Sequence, residues 1–275
     1  VMNATANFAI AETDSTYEMD EVATPSGALP LGLYEGTLTV VSDEEPSSAG
    51  TFGNNTYLRN FMVTEDRYSI DGIGVHPAGY ENLTSIGTQS FADAADGFMM
   101  FTYYDVSQEV AVMGLEILLS SSTVPGGSII CSMHDTVDVN ADDVDLPLEQ
   151  TDVIDVLQSH VDAGMITVMF EEPFVAEPNG YFAGVEMFSN DNANDIRILD
   201  DLTVPQPSGT SLIYTPDDQT VYGNGNAAAI RLITADNVGI GSQPELAGVG
   251  LYPNPTNGLV NVKILDAGNY NLELV

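Results

Sequence analysis

The segment Tyr181–Phe188 reads YFAGVEMF, and its side chains alternate between two faces along the chain. A period of two residues is that of a β-strand, whose successive side chains point to opposite sides of a sheet. Because both faces are mainly apolar, the pattern predicts a strand in the middle of a sheet. The side chains on one face are Tyr181, Ala183, Val185 and Met187, and Glu186 lies on the other.

Short segments of similar character recur on both sides of this strand, rich in Val, Ile, Tyr, Phe and Thr and bounded by Gly, Pro, Asn and Asp. This arrangement is typical of antiparallel sheets. Asp152–Ala163 alone has apolar residues at helical spacing, which predicts a helix. The predicted strands are Gly36–Val41, Tyr57–Val63, Tyr68–His76, Phe98–Tyr104, Glu109–Leu119, Ser128–His134, Met165–Phe170, Tyr181–Phe188, Asp195–Leu199, Ser211–Tyr214 and Ala228–Thr234.

So many strands favour an all-β fold with two packed sheets, a β-sandwich of jelly-roll type, because stacking buries one face of each sheet. We assign this body to residues 46–235, and residues 1–45 to an N-terminal arm or an extra strand. Residues 236–248 are polar and Gly-rich and predict a linker. Residues 249–275 are expected to begin a second, small β-rich unit.

The charge of the chain limits its partners. Its 275 residues include 41 acidic and 5 basic side chains, for a formal net charge of −36. Negative potential over most of the surface disfavours nucleic acid and anionic membranes as partners, and no apolar run is long enough to be a membrane span. Since 44% of the residues are hydrophobic, we expect a folded protein. Because its negative charges repel one another, we expect salt or bound calcium to stabilise it.

Catalytic motifs are scarce in this sequence. The three histidines, His76, His134 and His160, lie in no metal-binding pattern, and there is no GxSxG nucleophile motif. Cys131 lies in an apolar run and is expected to be buried, and a single cysteine excludes an internal disulfide. Paired carboxylates occur by chance among so many acids, so they give little information about glycoside hydrolysis. We therefore expect a non-enzymatic protein.

Two oxygen-rich segments are candidate calcium sites. Residues 138–149 read DVNADDVDLPLE and place oxygen ligands at the first, third, fifth and twelfth positions of a calcium loop. The glycine that an EF-hand has at the sixth position is Asp143 here, which leaves a calcium-binding β-loop or a solvated acidic loop as alternatives. Residues 190–195 read NDNAND, a run that also makes turns. The candidate ligands are Asp138, Asn140, Asp142 and Glu149 in the first segment and Asp191 and Asp195 in the second.

The most specific motif lies near the C-terminus, where residues 250–262 read GLYPNPTNGLVNV. The prolines fix φ, the glycine supplies a turn, and alternating valines predict a strand. This segment resembles the opening of the C-terminal sorting domain of cargo of the type IX (Por) secretion system in Bacteroidota, a domain that normally continues for further strands. The residues that carry the resemblance are Tyr252, Pro253, Asn254, Pro255 and Gly258.

The resemblance implies export by a Gram-negative bacterium to the outside or the outer cell surface, with the type IX machinery recognising the C-terminal unit. Residues 57–234 more loosely resemble the jelly-roll modules that precede such domains and are associated with adhesion or glycan binding. We therefore expect a secreted or cell-surface structural or adhesive protein, whose partners are a glycan or further copies of itself joined at sheet edges.

Two other functions stay open. A carbohydrate-binding module or glycan-active protein would be favoured by a pocket with several tyrosines and convergent carboxylates. A secreted peptidase would be favoured by a histidine within hydrogen-bond reach of a serine or of Cys131.

Overall fold

The structure, a computed structural model, describes residues 29–39, 56–91, 96–235, 249–252 and 261–264, the last two ranges by their backbone alone. Its helices are α1 (Thr136–Asn140) and α2 (Gln158–Ala163). Its strands are β1 (Gly32–Thr39), β2 (Thr56–Val63), β3 (Arg67–Tyr68), β4 (Leu83–Gly87), β5 (Asp96–Val106), β6 (Val110–Leu118), β7 (Ser128–Asp135), β8 (Glu149–Gln150), β9 (Ile154–Asp155), β10 (Met165–Ala176), β11 (Asn179–Phe188), β12 (Arg197–Asp201), β13 (Ser211–Thr215), β14 (Thr220–Gly223), β15 (Ala227–Ala228), β16 (Ile230–Ala235), β17 (Val249–Tyr252) and β18 (Asn261–Ile264).

Antiparallel sheets build the body, which confirms the all-β class. The central sheet has the order β14-β13-β5-β11-β7-β8, with β9 also paired to β7. The second sheet has the order β10-β6-β16-β3, and a short sheet has the order β15-β12-β4. Strand β11, which contains YFAGVEMF, lies between β5 and β7 as its apolar faces predict.

The inner core lies between the central sheet and the strands of the other two sheets. From β11 it takes Ala183, Val185 and Met187, which are fully buried, and from β6 it takes Leu115 and Ile117. Burial of each large aliphatic side chain contributes about 1.5–3 kcal/mol, so this core supplies the main stabilisation of the sandwich. Cys131 is part of it and is fully buried, as expected.

A second apolar cluster covers the outer face of the central sheet. Phe101 and Phe182 of the sheet pack there with Val139 of α1 and Val144 of the following loop. Helix α1 begins after Asp135, whose carboxylate accepts a hydrogen bond from the N–H of Val137. The central sheet is thus covered on both faces over part of its area, which explains why YFAGVEMF is apolar on both sides.

The predicted helix Asp152–Ala163 is wrong in its first half, since only Gln158–Ala163 is helical. Ile154 pairs with Ile129 in β7, and Val156 exchanges backbone hydrogen bonds with the 126–127 turn. The backbone groups of this segment therefore form hydrogen bonds to the sheet edge and to the turn, and they are not available for the hydrogen bonds of a longer helix. The short helix ends at Gly164, whose φ of 69° is left-handed.

The predicted strand Tyr68–His76 is also wrong beyond Tyr68. Turns follow instead, because the segment is held by buried charges. The Asp71 carboxylate pairs with the guanidinium of Arg231 at 2.6 and 2.9 Å, and Arg231 also approaches Glu116 at 3.4 Å. The N–H of Gly72 donates to the Asp201 carboxylate. These contacts join distant parts of the chain, which no local pattern shows.

Two hairpins complete the described structure. Strand β1 pairs with β2 from Gly32↔Val63 to Thr39↔Thr56, and β17 pairs with β18 from Val249↔Ile264 to Tyr252↔Asn261.

Neither helix in the described ranges has the length and apolarity that a membrane crossing requires. The linker 236–248 and most of the sorting motif lie outside the described residues, namely Pro253, Asn254, Pro255 and Gly258.

Candidate functional site

A pocket of about 330 Å³ opens on the outer face of the central sheet. Part of its floor is one row of side chains in register across four neighbouring strands. The volume lies at the small end of the range for small-molecule sites. The row consists of Tyr214 of β13, Met99 of β5, Glu186 of β11 and Ile130 of β7.

The next row of the sheet places Ser132 of β7 between Gly184 of β11 and Gln150 of β8. A Cβ at Gly184 would come within 2.8 Å of the Phe101 ring and 2.9 Å of the Ser132 Oγ. A glycine is therefore needed here for the aromatic ring and the serine to lie side by side. Ser132 and Gln150 both line the pocket.

The walls of the pocket are two loops. Residues 141–148 supply Asp145 and Pro147 on one side, and the turn between β13 and β14 supplies Gln219 on the other. The Asp142 carboxylate accepts a hydrogen bond from the N–H of Val221 at 2.8 Å, which ties the first loop to β14. The walls are thus held to each other as well as to the floor.

Ser132 and His134 form a buried polar pair at the base of the pocket. The Ser132 Oγ and the His134 Nε2 lie 2.7 Å apart, and the imidazole packs edge-on against Phe101 with ring centroids 5.3 Å apart. Burial lowers the pKa of His134 to about 4, so the ring is neutral near pH 7. Within the described part of the chain, the His134 Nδ1 is a buried nitrogen without a hydrogen-bond partner.

Ser132 and His134 lie within hydrogen-bond distance, as the peptidase hypothesis requires, but they form only part of a catalytic triad. A catalytic histidine is normally oriented by a carboxylate on its second nitrogen, and no described residue fills that role for His134. Cys131, its neighbour in sequence, faces the inner core, and burial raises the pKa of its thiol far above the ordinary value. The cysteine is therefore chemically inert in the folded protein.

The pocket is strongly negative. Asp145 and Glu186 line it, and the pKa of Glu186 is raised by burial and by the charge of Asp145. The pKa of the Tyr214 hydroxyl is raised by burial and then by the carboxylates around it, beginning with Asp145 and Asp218. None of the described lining residues is Lys or Arg. Chemically, the pocket presents acceptors for hydroxyl or ammonium groups.

The predicted calcium ligands lie in different elements, and two of their carboxylates already accept hydrogen bonds. In the 138–149 segment, Asp138 and Asn140 lie in α1, Asp142 follows it and accepts from the N–H of Val221, and Glu149 lies in β8. Asp195 accepts hydrogen bonds from Thr88 and Gln89 and pairs with Arg197 at 3.2 Å. The described residues contain no cluster of three or more His, Cys, Asp or Glu suited to a metal ion. The candidates concerned are Asp138, Asn140, Asp142, Glu149, Asp191 and Asp195.

The sequence does not predict that the residues of this pocket converge, although Glu186, His134 and Asp145 each lie in a segment named above. A signal for three of them was present, since Ser132 and His134 are polar positions on alternate sites of an apolar strand and Glu186 interrupts the apolar face of YFAGVEMF. Tyr214 looked like an ordinary strand tyrosine. Their convergence depends on strand register, which a single sequence does not specify.

Comparison with known proteins assigns no family to this chain. No protein-family model matches this chain, and the search of curated proteins found no match. A clostridial cysteine protease, Cwp84 after propeptide cleavage, is similar in structure with a TM-score of 0.41 and 12% identity, covering 64% of this chain and 42% of that one.

A structure of the cysteine protease and lectin-like domains of Cwp84, a surface layer associated protein of Clostridium difficile, gives a TM-score of 0.39 and 13% identity, covering 66% of this chain and 39% of that one. This chain thus spans about two fifths of the length of either match. Likeness at this level supports no conclusion about function.

Proposed function

We propose that this protein is a secreted, cell-surface adhesive β-sandwich that binds a glycan in the pocket on its central sheet and does not cleave it. The observation that carries the proposal is the composition of that pocket, which joins an aromatic ring to convergent carboxylates and amides. Sugars present hydroxyl groups around an apolar ring face, and this set matches both parts. Its members are Tyr214, Glu186, Asp145, Gln150 and Gln219.

Each part of the pocket has a role in this binding. The carboxylates accept hydrogen bonds from sugar hydroxyls, and bonds to a charged acceptor are the stronger kind. The amides of Gln150 and Gln219 both donate and accept, which suits vicinal hydroxyls. Tyr214 and Met99 supply the apolar part of the lining, although they are only 9% and 5% exposed and also pack in the second apolar cluster. One tyrosine lines the described pocket where several were expected, so the ligand is a short glycan or a chain end.

Export is supported by sequence alone, through the likeness of residues 250–262 to the type IX sorting domain and through the acidity of the chain. We expect a Tyr252→Ala, Gly258→Ala double variant of the full protein, expressed in its bacterial host, to lose surface immunolabelling. Undiminished labelling would remove the sorting assignment.

Glycan binding is tested with a glycan array, followed by calorimetry on the best ligand. Tyr214→Ala and Gln150→Ala should weaken binding about tenfold or more, the cost of a lost ring contact or hydrogen bond to the ligand. Tyr80→Ala is the control, because Tyr80 is 41% exposed and does not line the pocket. An array without any bound glycan, or equal loss in all three variants, would refute the proposal.

The contact between Ser132 and His134 favours a second candidate, a secreted peptidase. Its test is reaction with a fluorophosphonate, which labels activated serines. Labelling that disappears in Ser132→Ala would support the peptidase, and an unlabelled folded protein would exclude it.

A further inference from the structure

Building on the proposed glycan pocket, we infer that its ligand carries a primary ammonium group, which makes the ligand an amino sugar whose nitrogen is not acylated. Three observations support this inference: the excess of negative charge in the pocket, a buried nitrogen at its base that has no partner, and the aromatic ring of Tyr214.

The charge excess is local as well as global. Asp145 and Glu186 line the pocket, and Asp142 and Asp218 add to the negative potential at the Tyr214 hydroxyl. The chain has few cations to offset them, and Arg67, Arg197 and Arg231 pair with acids elsewhere in the fold. Like charges held in a partly buried site repel each other. A cationic ligand relieves this repulsion when it binds, and a neutral ligand of the same shape does not.

The second observation is independent of the acids. His134 is 1% exposed, lines the pocket, and its Nδ1 has no hydrogen-bond partner among the described residues. When the Nε2–H donates to the Ser132 Oγ, the Nδ1 keeps a lone pair that can accept a bond. This nitrogen is closed to solvent, so a ligand N–H or O–H reaches it only by displacing neighbouring side chains. The neutral ring does not repel a cation. A buried polar atom without a partner costs free energy, and a ligand donor would recover that cost.

An ammonium group fits these acceptors better than a metal ion does. Calcium requires six to eight oxygen ligands, whereas the described residues contain no cluster of three carboxylates or imidazoles suited to an ion. An ammonium group needs only three acceptors, and it is also attracted to the face of an aromatic ring such as Tyr214. Acylation of the nitrogen would remove the charge and add bulk.

Binding should depend on pH from both sides. The titratable groups that line the pocket are Glu186, Asp145, Tyr214 and His134, and the charges of Asp142 and Asp218 act on the Tyr214 hydroxyl from outside the lining. Affinity falls at low pH as Glu186 protonates, because burial and the charge of Asp145 raise its pKa. It falls at high pH as the sugar amine loses its proton.

The test is calorimetry of the full chain with three oligosaccharides of equal length and linkage, built from glucosamine, N-acetylglucosamine or glucose. The glucosamine oligomer should bind about tenfold tighter than the other two, as one charge-assisted hydrogen bond predicts. This preference should disappear in Glu186→Gln and Asp145→Asn, and it should persist in Glu172→Gln, an exposed acid on β10 of the second sheet. Lysine amide, which has the charge without the sugar ring, should bind more weakly than the glucosamine oligomer.

The outcomes separate this inference from the proposed function. Equal binding of all three oligomers keeps the glycan pocket and overturns the amine preference. If lysine amide binds as tightly as the glucosamine oligomer, the sugar ring is not recognised and the amino sugar is ruled out. If nothing binds, both proposals fail. Melting curves of the two pocket variants at neutral pH exclude unfolding as a cause, since removing either charge relieves repulsion and should not lower the melting temperature.

Discussion

The imidazole of His134 is buried next to Ser132 on the outer face of the central sheet. Its burial makes the stability of the folded protein depend on pH. Its pKa is lowered by burial from 6.5 to about 4 in the folded state. The unfolded chain therefore binds a proton there that the folded chain does not, and acid favours unfolding. As the pH falls from about 6.5 to about 4, this site should cost about 3 kcal/mol of folding free energy.

The check is a comparison of urea unfolding across that pH range in wild type and His134→Phe. Asp200, whose pKa is raised by burial, contributes a slope of opposite sign, so the difference between the two proteins is the informative quantity. We expect the variant to lose less stability with acid, whatever its stability at neutral pH. The His160→Gln variant controls for removing a histidine outside the pocket. Parallel profiles of wild type and His134→Phe would contradict the account.

Some single residues could be interpreted from the sequence and others could not. The burial of Cys131 was predicted correctly, because a lone cysteine within an apolar run behaves as a small hydrophobic residue. His134 was noted only as one of three histidines outside any metal-binding pattern, and its contact with Ser132 was not predicted. The two residues are next but one to each other in β7, so they share a face only if that segment is a strand.

At the scale of elements, Arg231 of β16 joins three segments of the body. It pairs with Asp71 in the turn after β3 and with Glu116 of β6, and both acids are nearly buried. Removal of one partner from a buried ion pair leaves a charge that neither water nor protein stabilises. We expect Arg231→Ala to lower the free energy of unfolding by about 3–5 kcal/mol in chemical denaturation.

The matched control is Arg59→Ala in β2, which removes the same charge from an exposed position. It should change stability by less than about 1 kcal/mol. If the two variants lose equal stability, net charge is responsible and the ion pair is not.

Elements were predictable where alternation and tertiary structure agree. The positions of β5, β6, β7 and β11 follow their predicted segments closely, because a half-buried or buried strand must alternate or be apolar throughout. The helix at Asp152–Ala163 and the strand at Tyr68–His76 were misjudged, since backbone pairing to β7 and the Asp71–Arg231 pair override local preference.

At the scale of the whole molecule, the net charge of −36 should make folding depend on salt. Carboxylates spread over the folded protein repel one another, and salt screens this repulsion over about 8–10 Å at physiological strength. The melting temperature should therefore rise with sodium chloride by several degrees, measured by calorimetry or thermal shift. A melting temperature independent of salt would show that self-repulsion is not significant.

A calcium site would add a rise with calcium chloride beyond that with sodium chloride at equal ionic strength. That extra rise should be absent from the Asp138→Ala, Asp142→Ala double variant if the 138–149 loop binds the ion. An equal calcium response in wild type and double variant would exclude this loop as a site.

The pocket itself is a property of the assembled molecule. Four strands supply one row of its floor, and two loops distant in sequence supply its walls. A single sequence indicates that strands exist and which residues alternate, but it does not specify which strands are neighbours. This is why the fold class was predictable and the site was not.

The most direct test of the glycan pocket is NMR of isotope-labelled methionine methyl groups during titration with the glucosamine oligomer. Met99 lines the pocket, Met133 faces the inner core on the other side of the same sheet, and Met169 is exposed on the second sheet. Met99→Leu assigns the pocket signal. We expect a saturable shift of the Met99 methyl signal with the Met133 and Met169 signals unchanged. A titration that moves the Met169 signal while the Met99 signal stays fixed would show that the glucosamine oligomer does not bind in this pocket.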